Sequence, residues 1–324
     1  MQLNNSVVGC GGFMALTLGM LAGTAGAAEG ISPLQPGATT GTAAGALPPP
    51  GVYLMADIAD ERGWVKNGRG DTAVTPGGQR IKAANVSAVM ALSWVTDWQV
   101  LGARYAMAVA QPYKWARTKT YSADGDASIR SNGLVNTAIT PVILSWSLGG
   151  GYFLGTGLTL YADNGMFRYT YDASAGRNVK SATTIGNDYW TIEPNVALTY
   201  LSNGWSVTFN NILDVNTENK TTHYQSGMTY YLDMTVAKKI NNFTVGVVGN
   251  YTHQITDDEI NGRTVDAVEG LYGRGNRAEH VLAGPLLAYD FGSFALSARV
   301  LRSLRAKNDA DVSFIHVGFS MPIK

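Results

Sequence analysis

The side chains best suited to bind a metal or transfer a proton are the histidines, of which the chain has four. They are His223, His253, His280 and His316. No two of them stand at a spacing typical of metal ligands. The sequence therefore predicts no metal site and no cofactor, and isolated polar histidines are the simplest interpretation.

Two Ser-Asn-Gly tripeptides, beginning at Ser131 and Ser202, contain the most plausible serine nucleophiles. A serine becomes reactive only when a base lies within hydrogen-bond reach. The positions two residues earlier hold Ile129 and Tyr200 instead of histidine. We therefore interpret both tripeptides as turns, predict no catalytic residues, and expect that the protein is not an enzyme.

The elements that would position any functional side chain are long strands with two different faces. Residues 243–254 show the pattern, because apolar and polar side chains alternate along them. Phe243, Val245, Val247 and Tyr251 share one parity, and Thr244, Asn250, Thr252 and Gln254 share the other. A period of two places the two sets on opposite faces of a strand.

Composition narrows the class of protein. The 324 residues include 24 Lys+Arg and 24 Asp+Glu, so the formal net charge is zero, which argues against a nucleic-acid partner. Charged residues make up 15% of the chain, against about 25% in typical soluble domains. With a single cysteine, Cys10, no intramolecular disulfide is possible. A charge-poor, Gly-rich chain of alternating strands is typical of a barrel whose outer face meets lipid.

The order of turns and loops favours one topology. About twelve strands are predicted, approximately over 51–58, 81–95, 98–111, 133–147, 150–162, 189–202, 204–214, 225–240, 242–255, 278–290, 293–305 and 311–322. Tight turns, among them Thr96-Asp97 and Asn203-Gly204, alternate with longer polar links. Outer-membrane barrels alternate in this way. The predicted fold is an all-β transmembrane antiparallel up-and-down β-barrel of about twelve strands.

The region before the first strand has two parts. Residues 1–27 combine an apolar run with Ala25-Gly26-Ala27, the form of a secretory signal peptide. Residues 28–50 are rich in Pro, Gly and Ala and predict an extended linker, with a plug in the barrel lumen as the alternative. Residues 51–324 are the predicted outer-membrane barrel.

Charged residues on the inward parity are candidates to line the lumen: Arg104, Glu193, Asp233 and Arg299. They either form a structural network or contact a solute. The loop 163–188 carries a second set that could fold inward as a constriction: Arg168, Tyr169, Tyr171 and Arg177.

Several segments resemble the meta-pathway phenol-degradation family of outer-membrane barrels. They are Pro50-Gly51-Val52-Tyr53, Gly186-Asn187-Asp188-Tyr189-Trp190, Thr222-His223-Tyr224-Gln225-Ser226-Gly227, Gln254-Ile255-Thr256-Asp257-Asp258 and Gly284-Pro285. The resemblance is closest over residues 186–290 and brings no catalytic residues.

This resemblance implies an outer-membrane channel or transporter for passive uptake of small hydrophobic or aromatic compounds in a Gram-negative bacterium. Its expected partners are outer-membrane lipid and lipopolysaccharide, the transported solutes, and the barrel-assembly machinery during biogenesis. Two alternatives stay open: a general small-solute porin, and a structural or adhesive barrel with no transport role.

Overall fold

The computed structural model describes residues 33–123, 125–173 and 176–323, so the predicted signal peptide over residues 1–27 lies outside it. Within the described ranges the alternating segments form strands. These are β1 (Gly51–Val65), β2 (Arg80–Val100), β3 (Ala103–Tyr121), β4 (Ala127–Leu134), β5 (Ala138–Gly149), β6 (Tyr152–Tyr161), β7 (Tyr169–Asp172), β8 (Arg177–Lys180), β9 (Thr191–Ser202), β10 (Trp205–Asn216), β11 (Tyr224–Gln225), β12 (Thr229–Ile240), β13 (Phe243–Gln254), β14 (Glu259–Ile260), β15 (Arg263–Thr264), β16 (Glu279–Asp290), β17 (Ala295–Lys307) and β18 (Ala310–Ile323). One short 3₁₀ helix covers Arg274–Asn276.

The long strands pair antiparallel with their neighbours and close into a barrel. β1 pairs with β2 on one side and with the last strand, β18, on the other, so no edge is left open. β4 and β5 both pair with β3 and are two halves of one interrupted strand. The wall of the barrel therefore consists of twelve strands among the described residues, with β4 and β5 counted as one. This confirms the predicted fold class.

The short connections lie at one end of the barrel, the turn end, and the longer ones at the other, the loop end. Asn203 and Gly204 have φ angles of 50° and 76°, as a tight hairpin turn requires. The predicted turn at Thr96-Asp97 is wrong, because β2 continues to Val100 and the chain turns at Leu101-Gly102. The interpretation of Ser131-Asn132-Gly133 as a turn is also wrong, since these residues lie within β4.

The outer surface of the barrel is apolar midway between its two ends. Met90, Val247 and Ile315 are 61%, 60% and 57% exposed although they sit in the middle of strands. Aromatic rings gather at the turn end, where the ring centroids of Trp94 and Trp98 are 5.5 Å apart and those of Phe243 and Tyr289 4.6 Å apart. An apolar band bordered by aromatic rings is the exterior of a barrel embedded in lipid. No helix among the described residues is long and apolar enough to cross a membrane.

The inside of the barrel is filled by inward-facing side chains and by the segment that precedes β1. Apolar clusters there combine residues of several strands, such as Leu282, Leu301 and Phe314. Polar and charged side chains occupy much of the remaining inward parity. This interior is the only enclosed region to which many strands of the described chain contribute, and it is the candidate site.

Candidate functional site: the occupied lumen

Residues 33–50 run inside the barrel. Leu34 and Thr40 are 1% and 0% exposed, and the neighbouring small residues are almost equally buried. The segment leaves the turn end at Pro50, just before β1, and reaches the loop-end half of the lumen at Leu34, which packs with Ile212 and Tyr231. Its Gly, Ala and Thr residues leave room for the backbone to approach the wall, which bulkier side chains would prevent.

At the turn end, hydrogen bonds made by Arg104 and by Gly45 attach the segment to the wall. The guanidinium group of Arg104 donates hydrogen bonds to the carbonyl oxygens of Leu47 and Pro48, the latter at 2.8 Å. The N–H of Gly45 donates to Thr199 Oγ1 at 2.9 Å, and its carbonyl accepts from Ser145 Oγ at 2.8 Å. Neighbouring strands on one side of the barrel, β3, β5 and β9, thus satisfy backbone groups of the segment.

In the middle of the lumen the segment binds a buried carboxylate. Asp233 Oδ2 accepts hydrogen bonds from both the N–H and the hydroxyl of Thr39, at 2.8 and 2.6 Å. Asn250 donates to the other oxygen of Asp233 at 2.7 Å. Asn210 adds a hydrogen bond to Thr39 Oγ1 at 3.1 Å. Because both oxygens of Asp233 are used, its negative charge is held mainly by neutral donors.

A second charged group meets the segment from β17. Arg299 Nη1 lies 3.1 Å from Asp57 Oδ2, and His316 Nδ1 lies 2.8 Å from Asp57 Oδ1. Arg299 Nη2 also donates to the carbonyl oxygen of Ala38 at 3.4 Å. The Asp57 carboxylate therefore orients an arginine that holds the chain inside the barrel.

Near the loop end the wall carries two further buried charge groups. Lys114 Nζ lies 2.8 Å from Glu61 Oε1, and both side chains are almost completely buried. Glu193 and Asp214 face each other on β9 and β10, are fully buried, and form no ion pair with a cation among the described residues. Adjacent carboxylates repel each other when both are charged, and no cation among the described residues pairs with either of them to offset that repulsion.

The four charged residues proposed from parity do not form one cluster. Arg104 contacts residues 33–50 near the turn end, and Asp233 and Arg299 contact them at Thr39 and Ala38, whereas Glu193 lies beside Asp214. The sequence interpretation missed Asp57, which shares the inward parity of β1. It also missed the neutral residues that bind the segment: Ser145, Thr199, Asn210 and Thr235. Their inward parity could be predicted from the sequence, but no sequence feature indicated that they contact residues 33–50.

The loop residues proposed as a constriction lie around the hairpin of β7 and β8. Arg168 and Tyr171 are exposed, and Arg177 is partly buried. The hydroxyl of Tyr169 donates to Asp188 and is 3.4 Å from Asn219 of the next loop. Burial raises the pKa of Tyr169 from its ordinary value, and the hydrogen bond to Asp188 adds to this shift.

Another polar cluster stabilises the outer loops. Asp258 is buried and accepts hydrogen bonds from the N–H of Gly227 at 2.8 Å, from Gln254 at 2.7 Å and from Asn276 at 3.0 Å, and also from the Tyr224 hydroxyl. Burial raises the pKa of Asp258, although these hydrogen bonds oppose the shift. In the described ranges, no group of three or more His, Cys, Asp or Glu side chains is arranged to hold a metal ion.

Comparison of the sequence with family models identifies one match, over residues 66–310. The matching family is described as "Putative MetA-pathway of phenol degradation". The chain belongs to this family. The match covers most of the barrel and confirms the resemblance seen in the sequence. No curated protein matches the sequence.

Solved structures share the architecture at low sequence identity. An outer membrane channel from Pseudomonas putida F1 aligns with a TM-score of 0.62 and 15% identity, covering 86% of this chain and 98% of that chain. The β domain of the Bordetella autotransporter BrkA gives 0.45 and 15%, covering 85% and 100%. A mutant of the monoaromatic hydrocarbon channel TodX gives 0.43 and 10%, covering 85% and 91%. The similarity to the Pseudomonas putida channel shows a shared fold. The TM-scores of the other two structures are too low to support a conclusion about this chain.

Proposed function

We propose that this family member is an outer-membrane channel for passive uptake of small aromatic or hydrophobic compounds, and that residues 33–50 regulate passage through its lumen. The main support for the proposal is the position of this segment. It lies inside a closed twelve-stranded barrel, and hydrogen bonds attach it to the wall at several points along its length. The turn end would face the periplasm and the loop end the outside, as in outer-membrane barrels. The class of solute comes from the family description.

Polar side chains in the middle of the lumen narrow the class of solute that could pass. Thr39, Asn210 and Asp233 form a polar belt halfway along the lumen. An aromatic compound with a hydroxyl or carboxyl group could exchange hydrogen bonds with such a belt, whereas a pure hydrocarbon could not. The same belt favours a second candidate, a general porin for small polar solutes.

The first test is single-channel conductance of the purified full chain in a planar bilayer, compared with a variant that lacks residues 33–46. We expect small or rare steps in the full chain and larger, stable steps in the deletion variant. Equal conductance in both would contradict regulation by the segment. Silence in both would contradict a channel and favour a structural barrel.

The solute requires a separate measurement, because phenols cross simple phospholipid bilayers unaided. Uptake should be measured in cells with an intact lipopolysaccharide leaflet, with and without the protein, using labelled phenol, toluene and a small sugar. Faster uptake of phenol, with or without toluene, and unchanged uptake of the sugar support the first candidate. Equal acceleration of phenol and the sugar supports the porin.

Three finer statements belong to the same proposal. The protein would work without catalysis, because diffusion of a solute through the lumen involves no chemical step. It would contact lipopolysaccharide in the outer leaflet. It would also depend on the barrel-assembly machinery for insertion, and depletion of that machinery should leave the chain unfolded in the periplasm.

A further inference from the structure

A group of cations lies on the outside of the barrel, near the loop end of β1–β4. The basic patch consists of Arg62, Arg117, Lys119 and Arg130 around the ring of Trp115, and these side chains line a surface cleft of about 390 Å³. Arg62 shares the outward parity of the exposed Ile58, and Arg117 and Lys119 share that of Trp115, which is 49% exposed. The patch therefore faces the surroundings of the barrel and not its lumen.

Strand register brings these cations together on one row across the wall. Arg62 pairs with Ala84 of β2, and Arg117 pairs with Arg130 of β4. The pairs Ala83–Thr118 and Val86–Trp115 place Ala84 beside Arg117, so the three arginines lie on one row across the neighbouring strands. Like charges directly opposite each other on neighbouring strands are destabilising. The fold thus tolerates a cost that an anionic partner would offset.

The patch lacks enough carboxylates to neutralise it. Asp60 is the single acidic residue lining the cleft, and Arg62 already binds both of its oxygens at 2.8 Å. The buried Nε of Arg117 has no hydrogen-bond partner among the described residues. One row nearer the loops, Lys82 and Arg80 lie over the ring of Trp64, at 5.3 and 5.6 Å from its centroid. The positive charge therefore extends from the cleft toward the loop end of the barrel.

The height of the patch relates it to the membrane surface. Trp94, in the aromatic cluster at the turn end, and Ala84, on the arginine row, are ten residues apart on β2. Ten residues of strand extend about 33 Å, or roughly 25 Å along the membrane normal at the tilt of such barrels. The apolar band of outer-membrane barrels is also about 25 Å tall. The arginine row thus lies at the outer boundary of the hydrocarbon, where lipid head groups begin.

We propose that the basic patch binds the phosphorylated sugar head group of a lipid A molecule in the outer leaflet. Arginine forks match phosphate oxygens, and the Trp115 ring would lie at the start of the acyl chains. The inference rests on the outer-membrane location proposed above. Lipid binding and conductance are measured separately, so either proposal can fail without the other.

The test is native mass spectrometry of the full chain, purified free of lipopolysaccharide in detergent and titrated with diphosphoryl lipid A. We expect one saturable binding event for the unaltered protein. The variant Arg117→Ala/Arg130→Ala should bind about 10-fold or more weakly, since charge-assisted hydrogen bonds are lost. The control Lys220→Ala/Arg263→Ala removes the same charge from exposed loops and should bind as the unaltered protein does.

Four binding results would overturn the proposal: equal binding by the patch variant, equal loss in the control, equal binding of lipid A stripped of its phosphates, or displacement by excess inorganic phosphate. The last would indicate a site for a free anion. Folding is checked by thermal unfolding without lipid. There the patch variant should be at least as stable as the unaltered protein, because Arg117 no longer faces Arg130. A less stable variant would indicate a structural role and also count against the proposal.

Discussion

Gly45 in the lumen lies directly against Gly155 of the barrel wall. A Cβ atom built on Gly155 would stand 2.7 Å from the Cα of Gly45 and 2.9 Å from the carbonyl oxygen of Ala44. Only two residues without side chains allow this approach, and it brings the backbone of Gly45 within hydrogen-bond distance of Thr199 and Ser145. The contact brings the backbone of the lumenal segment directly against the backbone of the wall.

Replacing this glycine should therefore loosen the segment. In Gly155→Val the new side chain cannot coexist with Gly45, so the segment must move away from β6. We expect faster hydrogen exchange at the amide of Gly45 and larger conductance, approaching that of the deletion variant. Gly273→Ala is the control, because a Cβ there meets nothing within 4 Å. Unchanged exchange at Gly45 in Gly155→Val would show that the contact is not close in solution.

Removing the charge of Asp233 should weaken the central attachment and change ion selectivity. An asparagine keeps one acceptor oxygen but turns an N–H₂ group toward donors, which costs about 1–3 kcal/mol for each unsatisfied group. In Asp233→Asn we expect more frequent openings and a reversal potential shifted toward lower cation preference in a salt gradient. Asp71→Asn, in an exposed loop, removes the same charge and is the control. If both variants show the unaltered reversal potential, ions do not pass Asp233.

The Glu61–Lys114 pair should behave as a buried ion pair. Replacing Lys114 with Met leaves the Glu61 carboxylate without its cation and should reduce the free energy of unfolding by about 3–5 kcal/mol. The double variant Glu61→Gln/Lys114→Met removes both charges and should recover most of that loss. Urea unfolding in lipid vesicles measures both. A single variant that loses less than about 1 kcal/mol would mean that water reaches the pair and solvates it.

The outer loops should lose stability as the pH rises through the acid range. Burial raises the pKa of Asp258 above 3.8, so the folded loops retain a proton that the unfolded loops release. Stability from this group is therefore complete below pH 3.8 and decreases as the pH rises through the raised pKa. Hydrogen exchange of residues 255–278, corrected for its intrinsic pH dependence, should show decreasing protection from about pH 4 upward. Asp258→Asn should abolish that dependence.

Asp257 is the neighbour of Asp258, and its pKa is shifted in the opposite direction. The hydrogen bond from Arg277 Nε, at 2.6 Å, lowers the pKa of Asp257 from 3.8. Its contribution to loop stability is present above pH 3.8 and is lost as the pH falls through the lowered pKa. Asp257→Asn should therefore leave the decline above pH 4 intact. Protection that increases with pH over that range in the unaltered protein would contradict the assignment to Asp258.

Much of the barrel could be predicted because each strand carries its own evidence. The alternation over 191–254 located β9, β10, β12 and β13 to within a few residues, since a strand that separates lipid from lumen must alternate. The sequence suggests a turn at Thr96-Asp97 because the side chains of Asp and Thr often hydrogen-bond the nearby backbone in turns. In the fold the hydroxyl of Thr96 donates to the carbonyl of Tyr105 across the strand pair, and β2 continues beyond it.

The sequence by itself determined the fold class, the number of strands and the parity of Arg104, Glu193, Asp233 and Arg299. These follow from local periodicity, which every short segment displays alone. Only the tertiary structure decided where residues 33–50 lie and which wall residues bind them. Thr39 and Asp233 are 194 residues apart, and a segment of Gly, Ala and Thr has no period that could indicate a partner. The basic patch was equally hidden, because Arg62, Arg117 and Arg130 meet only when strand register aligns them.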